Sequence, residues 1–349
     1  MFSWGKKTEN TSSTSIKSGS ESGESDLPKI TKPFEHPVET PKETNNGLED
    51  ISPSDDKTKF RKYEIVLNHF RDLDKKYPIK ENNCPEEDYE ALTDFEKSWL
   101  TKECILRYLR ACNWDENQAI QRITNSIAWR REFGIAGGKF QTLTPEMVSV
   151  ENETGKQQIF GYDNGRRPCL FLMSGRQNTK TSMRQIQHLI FMLETTLDIM
   201  PQNQDKLALC VDFKSYHDVP GVLKSSSMPS VTVGKQVLHI LQYHYPERLG
   251  RALFINIPFL AWAFLKICYP FVDPYTKQKI AFDTPFTEFI PSEQLALNYG
   301  GDINFQYVHE EYWPSLIELS SKRRDNYFKN FEKLGSEIGL SEIDLRELD

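Results

Sequence analysis

The fold is decided by residues 245–279, which read YPERLGRALFINIPFLAWAFLKICYPFVDPYTKQK. The stretch begins with a charged pair, Glu247 and Arg248, and continues into a strand-like apolar segment, 253–258. A longer apolar segment, 259–268, follows, and the stretch ends in a proline-framed turn that carries a threonine and two lysines. Groups suited to a charged headgroup therefore lie at both ends of a segment suited to hydrocarbon. This arrangement favours an amphiphilic ligand over a water-soluble metabolite.

Composition limits the architecture and the class of partner. The 349 residues, 38% of them hydrophobic, suffice for one large domain with a helical annex or for two modest domains. A formal net charge of -7 argues against a nucleic-acid binder, because that role usually shows as a basic patch. Membrane contact stays compatible with this charge, since a local basic face can meet anionic lipid.

The sequence predicts a soluble, cytoplasmic protein. The N-terminus has no apolar segment typical of a secretory signal. The apolar segment 259–268 is interrupted by Lys266 and would span only about 15 Å as a helix, against roughly 30 Å for a bilayer core. Without CxxC pairs, the cysteines are expected to be reduced thiols in the core. They are Cys84, Cys104, Cys112, Cys169, Cys210 and Cys268.

Four regions follow from composition and periodicity. Residues 1–56 are rich in Ser, Thr, Glu, Lys, Gly and Pro, which predicts a disordered tail. Residues 57–140 have a helical period, and residues 141–305 alternate short apolar runs with helices. A helical extension rich in charged residues occupies 306–349. The class is therefore α/β with an N-terminal helical subdomain.

Local signals set the helix boundaries in the N-terminal subdomain. Thr93 with Glu96 predicts a capping box for a helix that continues through Trp99. Asp115 is expected to cap a helix that ends at Gly134. A third helix is indicated by the apolar face of Tyr63, Val66, Leu67 and Phe70.

Continuous apolar runs in the second region predict a mainly parallel or mixed sheet covered on both faces. The predicted strands are 158–160, 169–173, 207–212 and 253–257. The predicted helices are 184–200, 231–243, the segment after Pro258, a short helix between Pro291 and Gly300, and a long helix over 312–334.

Signatures of enzymes are missing. The chain has no GxSxG, HExxH, GxxxxGK[ST] or GxGxxG motif. His239 and His244 lie five residues apart, a poor helical match for shared metal ligation, so structural or surface roles are favoured and no metal site is predicted. Asp212 ends an apolar strand without an evident nucleophile beside it, which favours a structural turn. We therefore predict neither an enzyme nor a cofactor.

The two polar ends of the opening stretch allow alternatives. Glu247 and Arg248 form either a local ion pair or contacts with a ligand, and the residues alone do not favour one over the other. The turn with Thr276, Lys277 and Lys279 would by itself be a surface loop. However, lysine supplies a point charge suited to phosphate, and threonine supplies a hydroxyl.

Several segments in order resemble the CRAL-TRIO (SEC-fourteen-like) lipid-binding family, over about residues 60–330. They are YPERLGR (245–251), FINIP (254–258), PFVDP (270–274) and YGG (299–301). The segments ILRYLRA (105–111) and AWRR (128–131) are similar to the N-terminal subdomain of that family. Three further segments resemble the fungal pleiotropic-drug-resistance subgroup of phosphatidylinositol transfer proteins. They are GRQNT (175–179), VLHILQ (237–242) and GLSE (339–342).

This resemblance implies an α/β lipid cage over 141–305, closed by a mobile apolar gate helix at 259–268. Its gate residues are Phe259, Leu260, Trp262, Phe264 and Leu265. By position, three residues match the inositol-phosphate contacts of the family. Lys279 is then expected to pair with the phosphate, while Glu247 and Thr276 hydrogen-bond to inositol hydroxyls.

Two departures from the family pattern affect specificity. Leu207 and Leu209 stand where the phosphatidylcholine-exchanging founder has small hydroxyl residues. We therefore expect the choline-lipid contacts to be lost, although Arg248 matches, and the space to suit another apolar ligand such as a sterol.

The second departure concerns the headgroup. Cys112 replaces the arginine that follows the Leu-Arg-Ala motif in the founder. Arg107 and Arg110 are the candidates to substitute for it, and the sequence does not choose between them.

The resemblance implies a phosphatidylinositol transfer protein that extracts one phospholipid and exchanges it at a membrane surface by transient contact. It is expected to act at endomembranes, such as the endoplasmic reticulum, lipid droplets or endosomes. The alternatives are a sterol or other lipid carrier with the same cavity, and a scaffold that presents lipid to a lipid-metabolising enzyme. The sequence gives no oligomeric state.

Overall fold

The computed structural model describes residues 27–33, 56–224 and 231–348. Most of the predicted tail, 1–26 and 34–55, lies outside these ranges. Residues 27–33 depart from the prediction of a disordered tail, because Ile30 forms a parallel bridge with Phe305 and Thr31 donates a hydrogen bond of 2.6 Å to Glu311. Pairing with a distant segment gives this stretch an order that its own composition does not indicate.

The N-terminal helices begin and end where the local signals predict. Thr93 and Glu96 form the predicted capping box. The Asp115 side chain accepts a hydrogen bond from the Gln118 amide, and Gly134 ends that helix in the left-handed region with φ 86°. The helices are α1 (Lys57–Arg71), α2 (Asp94–Trp99), α3 (Lys102–Ala111), α4 (Glu116–Phe133) and α5 (Pro145–Ser149).

One apolar core joins these helices. The predicted face of α1 is buried against apolar side chains of α3 and α4, including Ile105, Leu109 and Ile123. All three of these side chains are less than 1% exposed. This packing, more than helix propensity, fixes α3 and with it the arginines on that helix.

A mixed sheet follows, as predicted. Within the described residues its order is β1-β2-β3-β4-β5, with β1 and β2 antiparallel and the other neighbours parallel. Helices connect the parallel strands. In chain order the elements are β1 (Gln157–Tyr162), β2 (Pro168–Gly175), α6 (Met183–Asp198), β3 (Leu207–Ser215), α7 (Val231–His244), β4 (Leu249–Ile255), α8 (Phe259–Cys268), α9 (Pro274–Lys277) and β5 (Ile280–Phe282).

Both faces of the sheet are covered, which explains the continuous apolar runs of its strands. Ile159, Leu170 and Leu207 pack on one face against α6 and α7. On the other face, Phe171 and Cys210 pack against the irregular segment 286–305.

Three details of the α/β region differ from the sequence prediction. Strand β4 begins at Leu249, earlier than predicted, and ends at Ile255, because Asn256 adopts φ 54°. The helix predicted after Pro291 is wrong. Two 3-10 turns occupy that segment, because Leu295 is extended and Ala296 pairs with Ile303. Strand β5 was not predicted.

The chain ends with α10 (His309–Lys333) and α11 (Glu342–Leu345). Between them it returns to the N-terminal helices, where the Gly339 amide donates to the Leu100 carbonyl at 2.9 Å and the Lys102 amide donates to the Leu340 carbonyl at 3.0 Å. This return places α11 beside α3. Among the helices of the described ranges, none is both long and apolar enough to cross a membrane.

Candidate functional site

The turn between α7 and β4 separates the two charges of the opening stretch. Glu247 has φ 59°, and its carboxylate accepts a hydrogen bond of 2.6 Å from Nε of Arg110 on α3. Arg248 binds Glu342 instead, at 3.2 Å. The hypothesis of a local Glu247–Arg248 ion pair is therefore wrong, since the two residues have different partners.

Lys279 follows α9 and lies close enough to Glu247 for the two charges to interact. Its ammonium donates to the Leu249 carbonyl at 2.7 Å and lies 3.8 Å from the centre of the Tyr275 ring. Burial, and then the charge of Lys206, lower the pKa of Lys279 to about 8, while Glu247 acts to raise it. Lys279, Glu247 and Lys206 therefore share one electrostatic environment.

Thr276 is tied to the same turn. Its amide donates to the Asp273 carboxylate at 2.8 Å, and its carbonyl accepts from the Lys279 amide at 3.0 Å. Burial acts to raise the pKa of Asp273, but hydrogen bonds from Thr276 hold it below its ordinary value. The predicted Thr276 and Lys279 are thus held together by α9 and its cap.

Lys206 was missed by the sequence analysis. It immediately precedes β3, and within the described ranges its ammonium has no hydrogen bond or ion pair. A Cβ at Gly250 would come within 3.1 Å of the Lys206 Cβ, so this glycine lets the lysine stem lie against β4. The parallel register of β3 and β4, which pairs Leu207 with Leu249, brings Lys206 to the edge where Lys279 binds. We call Arg110, Lys206, Glu247, Thr276 and Lys279 the polar cluster.

The remaining arginines occupy a buried network. Arg107 donates to Glu342 at 2.5 Å and to Asp205 at 3.4 Å, and Arg248 donates to Glu342 and to the Asp205 carbonyl. Burial acts to raise the pKa of Glu342, but Arg107, Arg248 and Arg346 hold it well below its ordinary value. Both arginines are therefore paired within the protein, Arg107 with the carboxylates of Glu342 and Asp205 and Arg248 with that of Glu342.

This network distinguishes Arg107 from Arg110, the two candidates to substitute for the arginine that Cys112 replaces. Cys112, at the end of α3, is 8% exposed and packs in the helical core. Arg107 points to Glu342, whereas Arg110 contacts Glu247. Of the two, Arg110 is the one that belongs to the polar cluster.

The segment after β4 forms the predicted apolar helix, α8. Phe259 is 84% and Leu260 71% exposed, while Trp262 packs on Phe282 with ring centres 5.0 Å apart. Phe264 and Leu265 are half-buried. Large apolar side chains adjacent on one surface are typical of a site that meets another apolar body.

Known families match both parts of the chain. A CRAL/TRIO domain matches residues 152–301, and a CRAL/TRIO N-terminal domain matches 62–125. Phosphatidylinositol transfer protein PDR17 of Saccharomyces cerevisiae is 45% identical over 290 residues, which is 82% of each chain. The chain belongs to the CRAL/TRIO family. This confirms the resemblance inferred from the sequence.

Two further relatives extend the comparison. A CRAL-TRIO domain-containing protein of Schizosaccharomyces pombe is 46% identical over 284 residues, 81% of this chain but only 27% of that protein. The SEC14 cytosolic factor of Candida glabrata is 26% identical over 218 residues, 59% of this chain and 72% of the relative. The chain therefore matches relatives of different total length.

In this CRAL/TRIO chain, hydrogen bonds to one buried carboxylate hold the start of the connection to α8 against β3. Asp212 accepts hydrogen bonds of 2.8 to 2.9 Å from the Asn256 amide group, the hydroxyls of Tyr216 and Tyr299, and the Lys214 amide. The turn predicted at Asp212 is wrong, because β3 continues through this residue to Ser215. The same carboxylate gives Tyr299 of the YGG segment a role, since its hydroxyl donates to Asp212, which also accepts from Asn256 at the start of the connection to α8.

The wall beneath α8 is apolar. Leu209 is half-buried on the same sheet face as Leu172, together with Val237 and Leu241 of α7. Leu207 is 4% exposed and packs in the core. Neither leucine supplies a hydrogen-bonding group, so this wall offers contacts to hydrocarbon alone.

Proposed function

We propose that this protein transfers phosphatidylinositol by extracting one molecule into the CRAL/TRIO cage and exchanging it at a membrane surface. The observation that carries the proposal is the position of the polar cluster beside an apolar helix and an apolar wall. The identity to phosphatidylinositol transfer protein PDR17 supports it independently. We propose a carrier role and not catalysis, at the cytoplasmic face of endomembranes.

The polar cluster suits an inositol phosphate in chemical terms. Lys279 uses one donor on the Leu249 carbonyl and retains two for a phosphate. Lys206 adds a second positive charge in the same environment. The Glu247 carboxylate and the Thr276 hydroxyl are suited to the ring hydroxyls, with Arg110 orienting Glu247.

Exchange needs little net energy in this scheme. Burying acyl chains contributes about 0.8 kcal/mol per methylene, but the bilayer offers nearly the same environment. Selectivity must therefore come from the headgroup contacts. The exposed Phe259 and Leu260 of α8 would enter the bilayer during transient contact and open the cage.

Transfer of labelled phosphatidylinositol between vesicles tests the assignment. Lys279→Ala and Glu247→Ala are each expected to lower the transfer rate at least about tenfold, because a charge-assisted hydrogen bond contributes roughly 1.5–3 kcal/mol. Lys277→Ala is the matched control, since this neighbouring lysine lies 5.0 Å from the Tyr269 ring centre and outside the polar cluster. Circular dichroism of each variant checks that the fold is retained.

The assignment is contradicted if both variants transfer phosphatidylinositol at the wild-type rate. An equal loss of transfer rate in Lys277→Ala and Lys279→Ala would also contradict it. The effect would then depend on positive charge in this region and not on the position of Lys279.

A second candidate ligand is a sterol, which the apolar wall around Leu209 favours. Such a ligand would use the wall without the polar cluster. Mass spectrometry of lipids extracted from the purified protein separates the two, since phosphatidylinositol should dominate in the wild type. If sterol replaces phosphatidylinositol in the lipids extracted from Lys279→Ala, one cavity holds both ligands.

A further inference from the structure

Three side chains that could bind a metal ion converge outside the polar cluster. Glu81, which precedes α2, meets His239 and His244 of α7, and their potential ligand atoms all lie within 4.8 Å of one another. Nε2 of His244 lies 3.6 Å from the Glu81 carboxylate. Two ligands at about 2.1 Å from a tetrahedral zinc ion are separated by a similar distance.

His244 is held in an orientation that suits ligation. It is 3% exposed, and its ring stacks on Trp129 with centres 4.2 Å apart. Its Nδ1 forms a hydrogen bond of 3.0 Å with the Ser126 hydroxyl, which leaves Nε2 facing Glu81. Hydrogen bonding of one ring nitrogen while the other faces the ion is typical of metal-binding histidines.

The other two side chains are also supported. The His239 ring stacks on Tyr243 at 5.3 Å, and the Tyr243 hydroxyl accepts from Asn125 at 2.9 Å. The Glu81 amide donates to the Glu132 carboxylate at 3.0 Å, which fixes the backbone at this residue. The arrangement therefore rests on groups from α4, α7 and the segment between α1 and α2.

The sequence spacing did not predict this convergence. Five residues along a helix point in different directions, and on this ground metal ligation was rejected. The structure nevertheless brings the two rings together, because His244 is the last residue of α7 and Glu81 reaches both rings from a separate segment.

We propose that Glu81, His239 and His244 bind one zinc-class divalent cation, with a solvent-accessible fourth position. Two imidazoles and a carboxylate form a donor set that zinc accepts with one position open. The Glu132 carboxylate beside Glu81 offsets the remaining positive charge of the ion.

Binding here would join the N-terminal helices to the cage. Glu81 belongs to the N-terminal part, whereas α7 lies in the cage and packs against α8. A metal ion would thus fix α7, which packs against the proposed gate helix α8, to the helical subdomain. This consequence does not depend on which lipid the cage holds.

The test uses the full chain without an affinity tag, dialysed against chelator and then titrated calorimetrically with ZnCl2. We expect one equivalent to bind, and CoCl2 to give visible absorption bands of a tetrahedral site. His239→Ala and Glu81→Gln should weaken zinc binding on the order of 100-fold, since losing even an outer-sphere partner costs about 10–100-fold. His217→Ala, which removes an exposed histidine elsewhere, is the control and should bind as the wild type does.

His239 is exposed, so its replacement is not expected to unfold the protein, and the melting curve of the metal-free variant checks this. The proposal is overturned if the wild type does not bind ZnCl2. It is equally overturned if His239→Ala and Glu81→Gln bind like the wild type, since the ion would then be held by other groups such as the cysteines. Neither outcome bears on phosphatidylinositol transfer, which is measured separately.

Discussion

Two ion-pair groups lie side by side in this protein and use neighbouring residues of the same elements. Arg110 and Glu247 form a pair whose side chains are 18% and 17% exposed, whereas those of Arg107 and Glu342 are 3% and 4% exposed. The chemistry is the same, but the environments differ. A partly exposed pair can rearrange around a ligand, while a buried pair must stay intact because each charge relies on the other for compensation. Exposure therefore separates the group we assign to the headgroup from the group that holds the fold.

The largest expected effect tests the buried group. Glu342→Ala should lower the free energy of unfolding by about 3–5 kcal/mol, because it removes the buried carboxylate that Arg107 and Arg248 share and leaves Arg107 only its longer pair with Asp205. Glu247→Ala should lower it by about 1 kcal/mol or less, since its pair is partly solvated. Urea denaturation followed by circular dichroism measures both.

Asp344→Ala is the matched control for Glu342→Ala, because it removes an exposed acid from the same short helix, α11. Its stability should remain near that of the wild type. Equal losses in Glu342→Ala and Glu247→Ala would show that exposure does not separate the two groups.

The exposed face of α8 extends the comparison to apolar residues. Leu260→Ser should weaken binding to phosphatidylinositol-containing vesicles by about 1 kcal/mol, and adding Phe259→Ser should bring the loss to roughly 2 kcal/mol, or about 30-fold. Stability should change little, because these side chains are 71% and 84% exposed in the folded chain. Vesicle co-sedimentation measures the binding.

Leu73→Ser provides the control, since this leucine is 74% exposed but lies just after α1. It should leave vesicle binding unchanged. If Leu73→Ser and Leu260→Ser weaken binding equally, the membrane contact is not specific to α8.

Sequence predicted well what depends on near neighbours along the chain. The capping box of Thr93 and Glu96 and the stop at Gly134 involve residues within one helix, so their signals are local. The buried apolar strands were likewise found, because a sheet covered on both faces requires continuous apolar runs.

Partners distant in sequence were not predicted. Arg107 pairs with a glutamate 235 residues away, and nothing near either residue indicates the other. For the same reason the sequence grouped Arg107 and Arg248 with the headgroup, and it missed Lys206 and the convergence of Glu81 with two histidines. The family resemblance identified Glu247, Thr276 and Lys279 by position, while their common environment follows from the parallel register of β3, β4 and β5.

The smallest expected effect concerns the charge of Lys279. Its lowered pKa of about 8 means that the ammonium loses its proton as pH rises through 8, whereas an ordinary lysine stays charged to about pH 10.4. If this charge holds the phosphate, the rate of phosphatidylinositol transfer should fall over the same range. Lys279→Arg should flatten the fall, because arginine stays charged there.

Lys206→Gln sharpens this test, because it removes the nearby positive charge that helps to lower the pKa of Lys279. The midpoint of the transfer profile should therefore move to higher pH, by a few tenths of a unit to about one unit. Lys180→Gln, at an exposed position outside the polar cluster, should leave the midpoint in place. A midpoint that is the same in Lys206→Gln as in the wild type would separate the two lysines electrostatically. Lys206 would then have to be removed from the polar cluster, and the phosphate would rest on Lys279 alone.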